Sequence, residues 1–411
     1  MVHTDYEPVV PDGRNVPPKH HLLLMNTAQK SLTRRDRVQG ILKRRALGRM
    51  VYAPNYWQWF THHRNHGLLP AEVRHVTSQL ELIRWLDLDV FSRNLYCDAS
   101  QCWFGGLAEE IWAGVEVNIR RHTDDRDLVI EKVYHTRGGD LSERLRFVFS
   151  ESTLVQEKFL LDDATRQADA FEELLRGRRW RFNRALYEQW QEKVGDDGLV
   201  VAGELFSPLK LLHLAAGAAN AVFLLEDLPD RCREWMSICE AAQLNLVRQM
   251  LTAGVPAMMA MDNLDAAFHT PKYLERCSAG FYEQASRLCR DAGSAFFIHA
   301  CGHQRAILPL MASLGVDGLE GVAFPPLGDV DLDEAMRLTG DRMIITGGIS
   351  AMETENFQSY DEVRRYVEKL FARMKPYAHR FMFAASCSTS IRTRWEVLKW
   401  FRDAWRELGH L

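Results

Sequence analysis

The chain has 411 residues, 46% hydrophobic and 26% charged, a balance that builds a large buried core and excludes an intrinsically disordered protein. Lys and Arg number 51 against 55 Asp and Glu, so no strong field of either sign recommends nucleic acid or an anionic membrane as partner. No apolar run approaches the roughly 20 residues that span a bilayer, the opening MVHTDYEPVVPDGRNVPPKHH lacks a signal-peptide apolar region, and the eight cysteines form no disulfide framework. These features point to a cytoplasmic chain whose cysteines are thiols or metal ligands and whose partners are small molecules or another protein.

In chain order, GRMVYAPNYW (48–57) and LDVFSRN (88–94) predict two strands with a helix through QLELIRWL between them. VEVNIRRHTDDRDLVIEKVYHT and ERLRFVFSESTLVQEKFLL then predict antiparallel ribbon, and DATRQADAFEELLRGRRW a helix. No Pro/Gly/Ser-rich linker isolates this stretch, so residues 100–195 read as an insertion on a single domain spanning 1–411. Six more strands follow at GLVVAGELF (198–206), AMMAMDN (257–263), SAFFIHAC (294–301), GLEGVAF (318–324), RMIITGGIS (342–350) and RFMFAASCS (380–388). Each is short and near-continuously apolar, as a strand buried on both faces should be. Capped helical segments separate them, among them TPKYLERCSAGFYEQASRLCRDAG and SYDEVRRYVEKLFARM. Eight such strands with crossover helices predict an α/β fold, a closed (β/α)8 TIM barrel, with a doubly wound open sheet as the competing arrangement.

In such a barrel the chemistry is built at the C-terminal strand ends. There the sequence places Asn55 and Tyr56, Arg93 and Asn94, Glu204, Asp262 and Asn263, His299 and Cys301, Glu320, Gly347 and Gly348, and Cys387. His299 and Cys301 are an i, i+2 pair and point to one side of an extended strand end, while Cys387 arrives from the last strand. One imidazole and two thiolates favour zinc over oxygen-seeking magnesium or calcium, and three protein ligands leave a position for substrate or for Glu320. The remaining cysteines, 97, 102, 232, 239, 277 and 289, read as small core hydrophobes.

Glu204, Asp262 and Asn263 are candidates to move a proton or orient a substrate, or equally are barrel-top hydrogen-bonding groups. Tyr56, Trp57 and Trp59, with Phe60 and with His62, His63 and His66 behind them, suit the stacking of a flat ligand, or else pack beneath the inserted ribbon. Gly347 and Gly348 allow close backbone approach near the site. His303, one turn past the motif, is a candidate to support the ligands.

HACGH, the glycine-bounded DGLEG and ITGGIS, and the later ASCS resemble the uroporphyrinogen decarboxylase superfamily, and within it the zinc-dependent methyltransferases. The resemblance extends to TRRDRVQGILKRRALGRMVY and to GELFSPLKLLHLAAG with LEDLPDRCREWM. It implies a zinc held by His299, Cys301 and Cys387, with Glu320 at the place of a glutamate that approaches the metal in relatives. It also implies a methyl group exchanged between a corrinoid (cobalamin), carried on a separate small corrinoid-binding protein, and a small thiol or a methylated substrate such as an aryl methyl ether. The corrin face is then one candidate for the flat ligand at Tyr56, Trp57 and Trp59. Two other activities fall within the resemblance: a uroporphyrinogen decarboxylase-like lyase, and a zinc-dependent transfer of the coenzyme M thiol to an epoxide. The decarboxylases carry an arginine-rich stretch and a catalytic aspartate after strand 1; here NYWQWFTHHRNHG has one arginine, Arg64, and no acid. An octacarboxylate needs far more positive charge than that.

Overall fold

A computed structural model describes residues 32–96 and 106–411; Cys97 and Cys102 lie outside the described residues. β1 (Val51–Tyr52) and β2 (Val90–Ser92) precede a long excursion of six strands: β3 (Ala108–Trp112), β4 (Glu116–Asp124), β5 (Asp127–Thr136), β6 (Gly139–Val148), β7 (Thr153–Lys158) and β8 (Arg178–Phe182). β9 (Gly198–Val200) and β10 (Ala202–Leu205) form one strand interrupted at Val201. Then come β11 (Ala257–Leu264), β12 (Ala295–Ala300), β13 (Gly318–Val322), β14 (Ile344–Ile349) and β15 (Phe381–Ala385).

β1, β15, β14, β13, β12, β11 and β10 pair in that order, all parallel, and β2 pairs in parallel with β9. The ring closes where the Asp89 amide donates to the Tyr52 carbonyl at 3.0 Å and the Val201 amide to the Ser92 carbonyl at 3.1 Å. The Tyr52 amide in turn donates to the buried Asp89 carboxylate at 2.9 Å, and Arg37 neutralises that carboxylate at 2.7 Å. The fold is therefore the (β/α)8 TIM barrel, and the open sheet is excluded.

Alternation along the strands divides the core in two. Val51, Phe91, Leu199, Met259, Phe297 and Met382 face inward and form one cluster; their neighbours Tyr52, Val90, Val200, Met258, Phe296 and Phe383 face the helices and join a larger one. Each such side chain, fully withdrawn from water, contributes about 1.5–3 kcal/mol. Helix Arg34–Leu42, opened by a Thr33 capping box, sends Val38 and Ile41 into the inner cluster. With the interior filled by side chains, the barrel is a packed core and not a pore.

Between β2 and β9, β4 to β7 form a four-stranded antiparallel sheet, and β3 pairs antiparallel with β8. Two local expectations are corrected. The helix predicted through RGRRW stops at Gly177, where an added Cβ would lie 2.8 Å from the Ala113 carbonyl oxygen, and the chain continues as β8. In β8, Trp180 and Phe182 are buried while Arg179 and Arg181 face solvent, a period of two that overrides helical propensity. The helix predicted through TPKYLERCSAGFYEQASRLCRDAG breaks at Ser278 (φ −139°) into Pro271–Cys277 and Ala279–Asp291; the second half buries Phe281, Tyr282, Ala285 and Cys289 along one stripe. Among the described residues no single helix is long and apolar enough to cross a membrane; Pro208–Ala216 and Ala218–Asp227 pass that test only as a pair bent by 108°.

Candidate active site at the barrel mouth

The inward parity of Ala295 and Phe297 continues to His299 and Cys301, so β12 delivers an imidazole and a thiol into the barrel mouth. The His299 Nδ1–H donates to Glu320 Oε2 at 2.6 Å, and Arg93 Nε donates to the same oxygen at 2.9 Å. Arg93 also donates from a terminal nitrogen to Asn94 Oδ1 at 2.8 Å, where the Asn55 amide converges at 3.0 Å. With Nδ1 engaged, Nε2 of His299 turns to Cys387 Sγ, 3.8 Å away. Cys387 is also hydrogen-bonded to Cys301.

The electrostatics follow from these contacts. Cys387 is held well below the usual thiol range, by the hydrogen bond from Cys301 and, against burial, by the one from His299. Cys301, as donor, is pushed well above it by that bond and by burial. Burial would raise Glu320, but Arg93 and His299 outweigh it and bring the carboxyl down to about 2. For His299, burial and Arg93 work against the charged form, and Glu320 and Cys387 overcome them to raise it.

The donor set suits zinc. Tetrahedral zinc with an imidazole at about 2.0–2.1 Å and a thiolate at about 2.3 Å separates the two donors by about 3.6 Å, against the 3.8 Å between His299 Nε2 and Cys387 Sγ. Among the described residues no group of three His, Cys, Asp or Glu side chains stands ready to hold a metal ion. A metal bound here would release the thiol protons. Glu320 stands apart from the donors: its held oxygen faces the far ring nitrogen of His299, the place of a group that orients a metal-binding imidazole.

Other candidates fall elsewhere. Asp262 has the outward parity of Met258 and Ala260, accepts the Ser207 amide at 2.9 Å and the Tyr282 hydroxyl, and is raised by burial. Glu204 shares the parity of Val200 and Ala202 and accepts the backbone amides of Leu107, at 3.0 Å, and Ala108, which ties β3 of the excursion to β10. Asn263, inward and at φ +50°, lines the mouth. Tyr56 and Trp59 are 1% and 0% exposed: the Tyr56 hydroxyl meets that of Tyr52 at 3.1 Å, and the Trp59 indole donates to the Thr393 carbonyl at 2.8 Å. Both are core groups. Trp57 packs against Phe147 and Leu154 of the inserted sheet and also reaches the cleft. A Cβ on Gly347 would lie 2.9 Å from the Val322 carbonyl oxygen, and one on Gly348 would press Leu370 and Phe381, so both serve strand and helix packing. His303 is half exposed and lies 3.3 Å from Asp265. Cys232, Cys239, Cys277 and Cys289 are buried thiols raised by burial to about 11 or 12.

Two residues that the sequence left unassigned matter here. Arg93 holds Glu320; the signal was its inward parity with Phe91 on β2. Lys210, on the first turn of helix Pro208–Ala216, lines the cleft, is lowered by burial and feels Asp262 and Cys301. The cleft has a volume of about 180 Å³, with Trp57, Phe206 and Met261 as apolar wall and His299, Cys387 and Asn263 as polar floor. Gly321 (φ +99°) makes the convergence possible, because a Cβ there would lie 2.3 Å from the Ala300 carbonyl oxygen and 2.8 Å from that of Ser386, the residues before the two cysteines.

A closed parallel barrel with an imidazole–thiol cluster at its C-terminal mouth defines the class. Residues 166–408 match the uroporphyrinogen decarboxylase (URO-D) family, and the chain belongs to that family. Among solved structures, a methyltransferase from Methanosarcina mazei is similar over 92% of this chain and 99% of its own, at 14% identity and a TM-score of 0.53. A muconate cycloisomerase from Pseudomonas fluorescens covers 73% of this chain and 78% of its own, at 10% identity and a TM-score of 0.26. No curated protein sequence matches this chain.

Proposed function

We propose that the protein is a zinc-dependent methyltransferase that moves a methyl group between a corrinoid carried on a separate small protein and a small thiol or methylated substrate. One observation carries the reading: His299, Cys387 and Cys301 meet at the barrel mouth with the imidazole already oriented by Glu320. Zinc bound by these three side chains would lower the pKa of a substrate thiol while leaving it nucleophilic.

The chain's own residues do the rest. Glu320 fixes the tautomer and tilt of His299, and Arg93 fixes Glu320. Lys210 places a cation at the cleft edge, and Trp57, Phe206 and Met261 exclude water from one wall. The partner protein would dock over the loops at the strand ends, where a barrel of this kind builds its site. The methyltransferase of similar fold from Methanosarcina mazei supports this reading. Decarboxylation of a polycarboxylate is disfavoured, since among the described residues the Lys and Arg lining the cleft are Arg93 and Lys210, and Glu320 already neutralises the first. The test is methyl transfer from free methylcobalamin to a panel of small thiols, followed by the cobalamin absorbance. Acceleration by the native protein and none by Cys301→Ala is expected; equal rates for the two proteins would refute the proposal.

A further inference from the structure

A cavity of about 360 Å³ lies in the inserted region, distinct from the cleft. One face of the inserted sheet forms its floor: Ile119 and Arg121 on β4, Ile130, Lys132 and Tyr134 on β5, Glu143 and Leu145 on β6, and Leu154 and Gln156 on β7 alternate to the same side. Leu211, Leu214 and Ala215 of helix Pro208–Ala216 cover it, and Trp112 and Arg178 of the β3–β8 pair close one side. Its size falls within the roughly 300–1,000 Å³ typical of organic-ligand sites, and its lining is apolar with a few convergent polar groups.

Charge specifies the ligand further. Every lining carboxylate is already paired within the protein: Glu143 with Lys132 at 3.0 Å, Glu110 with Arg178 at 3.4 Å and Glu109 with Arg181. Glu143 also accepts the Tyr134 hydroxyl at 2.8 Å. Arg121 lines the cavity from an exposed position, and among the described residues no ion pair engages it. Trp112 and Tyr134 meet edge to face at 5.1 Å, a rigid aromatic side for a flat ligand.

We propose that this cavity binds an organic monoanion with an apolar, aromatic body, its acidic group facing Arg121 and its rings between the sheet and helix Pro208–Ala216. The cavity and the cleft share walls. Thr153 lines the cleft and Leu154 the cavity; Lys210 lines the cleft and Leu211 the cavity. A ligand seated here presses on the elements that shape the catalytic mouth. The proposal does not depend on the methyltransferase reading.

Two fluorescent probes test it: 8-anilinonaphthalene-1-sulfonate, and N-phenyl-1-naphthylamine, which keeps the rings and lacks the sulfonate. The native protein should bind each at one site per chain, each displacing the other. Ile119→Trp, which fills the cavity from a half-exposed position, should abolish both. Arg121→Met should weaken the sulfonate about fivefold and leave the amine unchanged, as expected for one partly exposed charge pair. Cys387→Ala, which removes a thiol of the catalytic cluster, should change neither, so failure of the metal assignment leaves this result standing. Binding of both probes unaltered by Ile119→Trp, equal weakening of both by Arg121→Met, or loss of both in Cys387→Ala would overturn the proposal.

Discussion

The barrel mouth and the inserted sheet carry charge in opposite ways. At the mouth a few ionisable groups are buried and answer one another: Arg93 to Glu320, Glu320 to His299, His299 to Cys387. On the outer face of the sheet the charges lie near water in a looser web, with Arg146 reaching Asp124, Asp127 and Glu157, and Arg144 reaching Glu131 and Glu157. Exposed pairs contribute little each and tolerate replacement. A buried chain of partners fixes geometry, because loss of any member strands a desolvated group. Position is thus determined tightly where chemistry is proposed and loosely on the sheet beside it.

Mutation should therefore act unequally on the two regions. The largest effect is expected from Cys301→Ala, which should lower methyl transfer by about a hundredfold or more while leaving the circular dichroism spectrum unchanged. Next comes acid. His213 and His269, whose rings lie 5.0 Å apart beside the mouth, are both depressed by burial, His213 further by His269 and Lys210 to about 3, and His269 further by Lys210, against Asp265, to about 4. The unfolded chain takes up these protons first, so their contribution is complete above the ordinary histidine pKa of about 6.5 and is lost as pH falls through the folded values. Thermal unfolding from pH 6.5 to pH 4 should show a loss of about 5 kcal/mol that His213→Phe with His269→Phe flattens; an unchanged slope in that double variant would contradict the assignment. Glu320→Gln should weaken metal binding by about 10- to 100-fold without unfolding the chain, read by chelator competition. Val155→Thr on the outer face of the sheet, 43% exposed, should shift stability by no more than about 0.5 kcal/mol in a denaturant titration.

Much of the barrel was legible because its strands are buried on both faces and read as unbroken apolar runs, as in AFFIHA and RFMFAA. The convergence of His299, Cys301 and Cys387 was legible from spacing and strand order. Glu204 and Asp262 were harder to place, since their partners are the amides of Leu107 and Ala108 in one case and Ser207 with Tyr282 in the other, fixed only by tertiary structure. Parity was the available clue: counting by twos from Val200 and from Met258 puts both carboxylates on the helix side. Lys210 gave no such signal, because a lysine on a helix's first turn is ordinarily solvated, and only the packing of Pro208–Ala216 brings it to the cleft. The aromatic run after β1 divides by helical geometry, Trp59 turning into the core while Trp57 faces the cleft.

The central claim is that one imidazole and two thiols share a metal ion, and metal analysis of purified protein tests it most directly. About one zinc per native chain is expected and essentially none in Cys387→Ala, with the fold intact in both. An active native protein without zinc, or a Cys387→Ala variant that keeps its zinc, would contradict it.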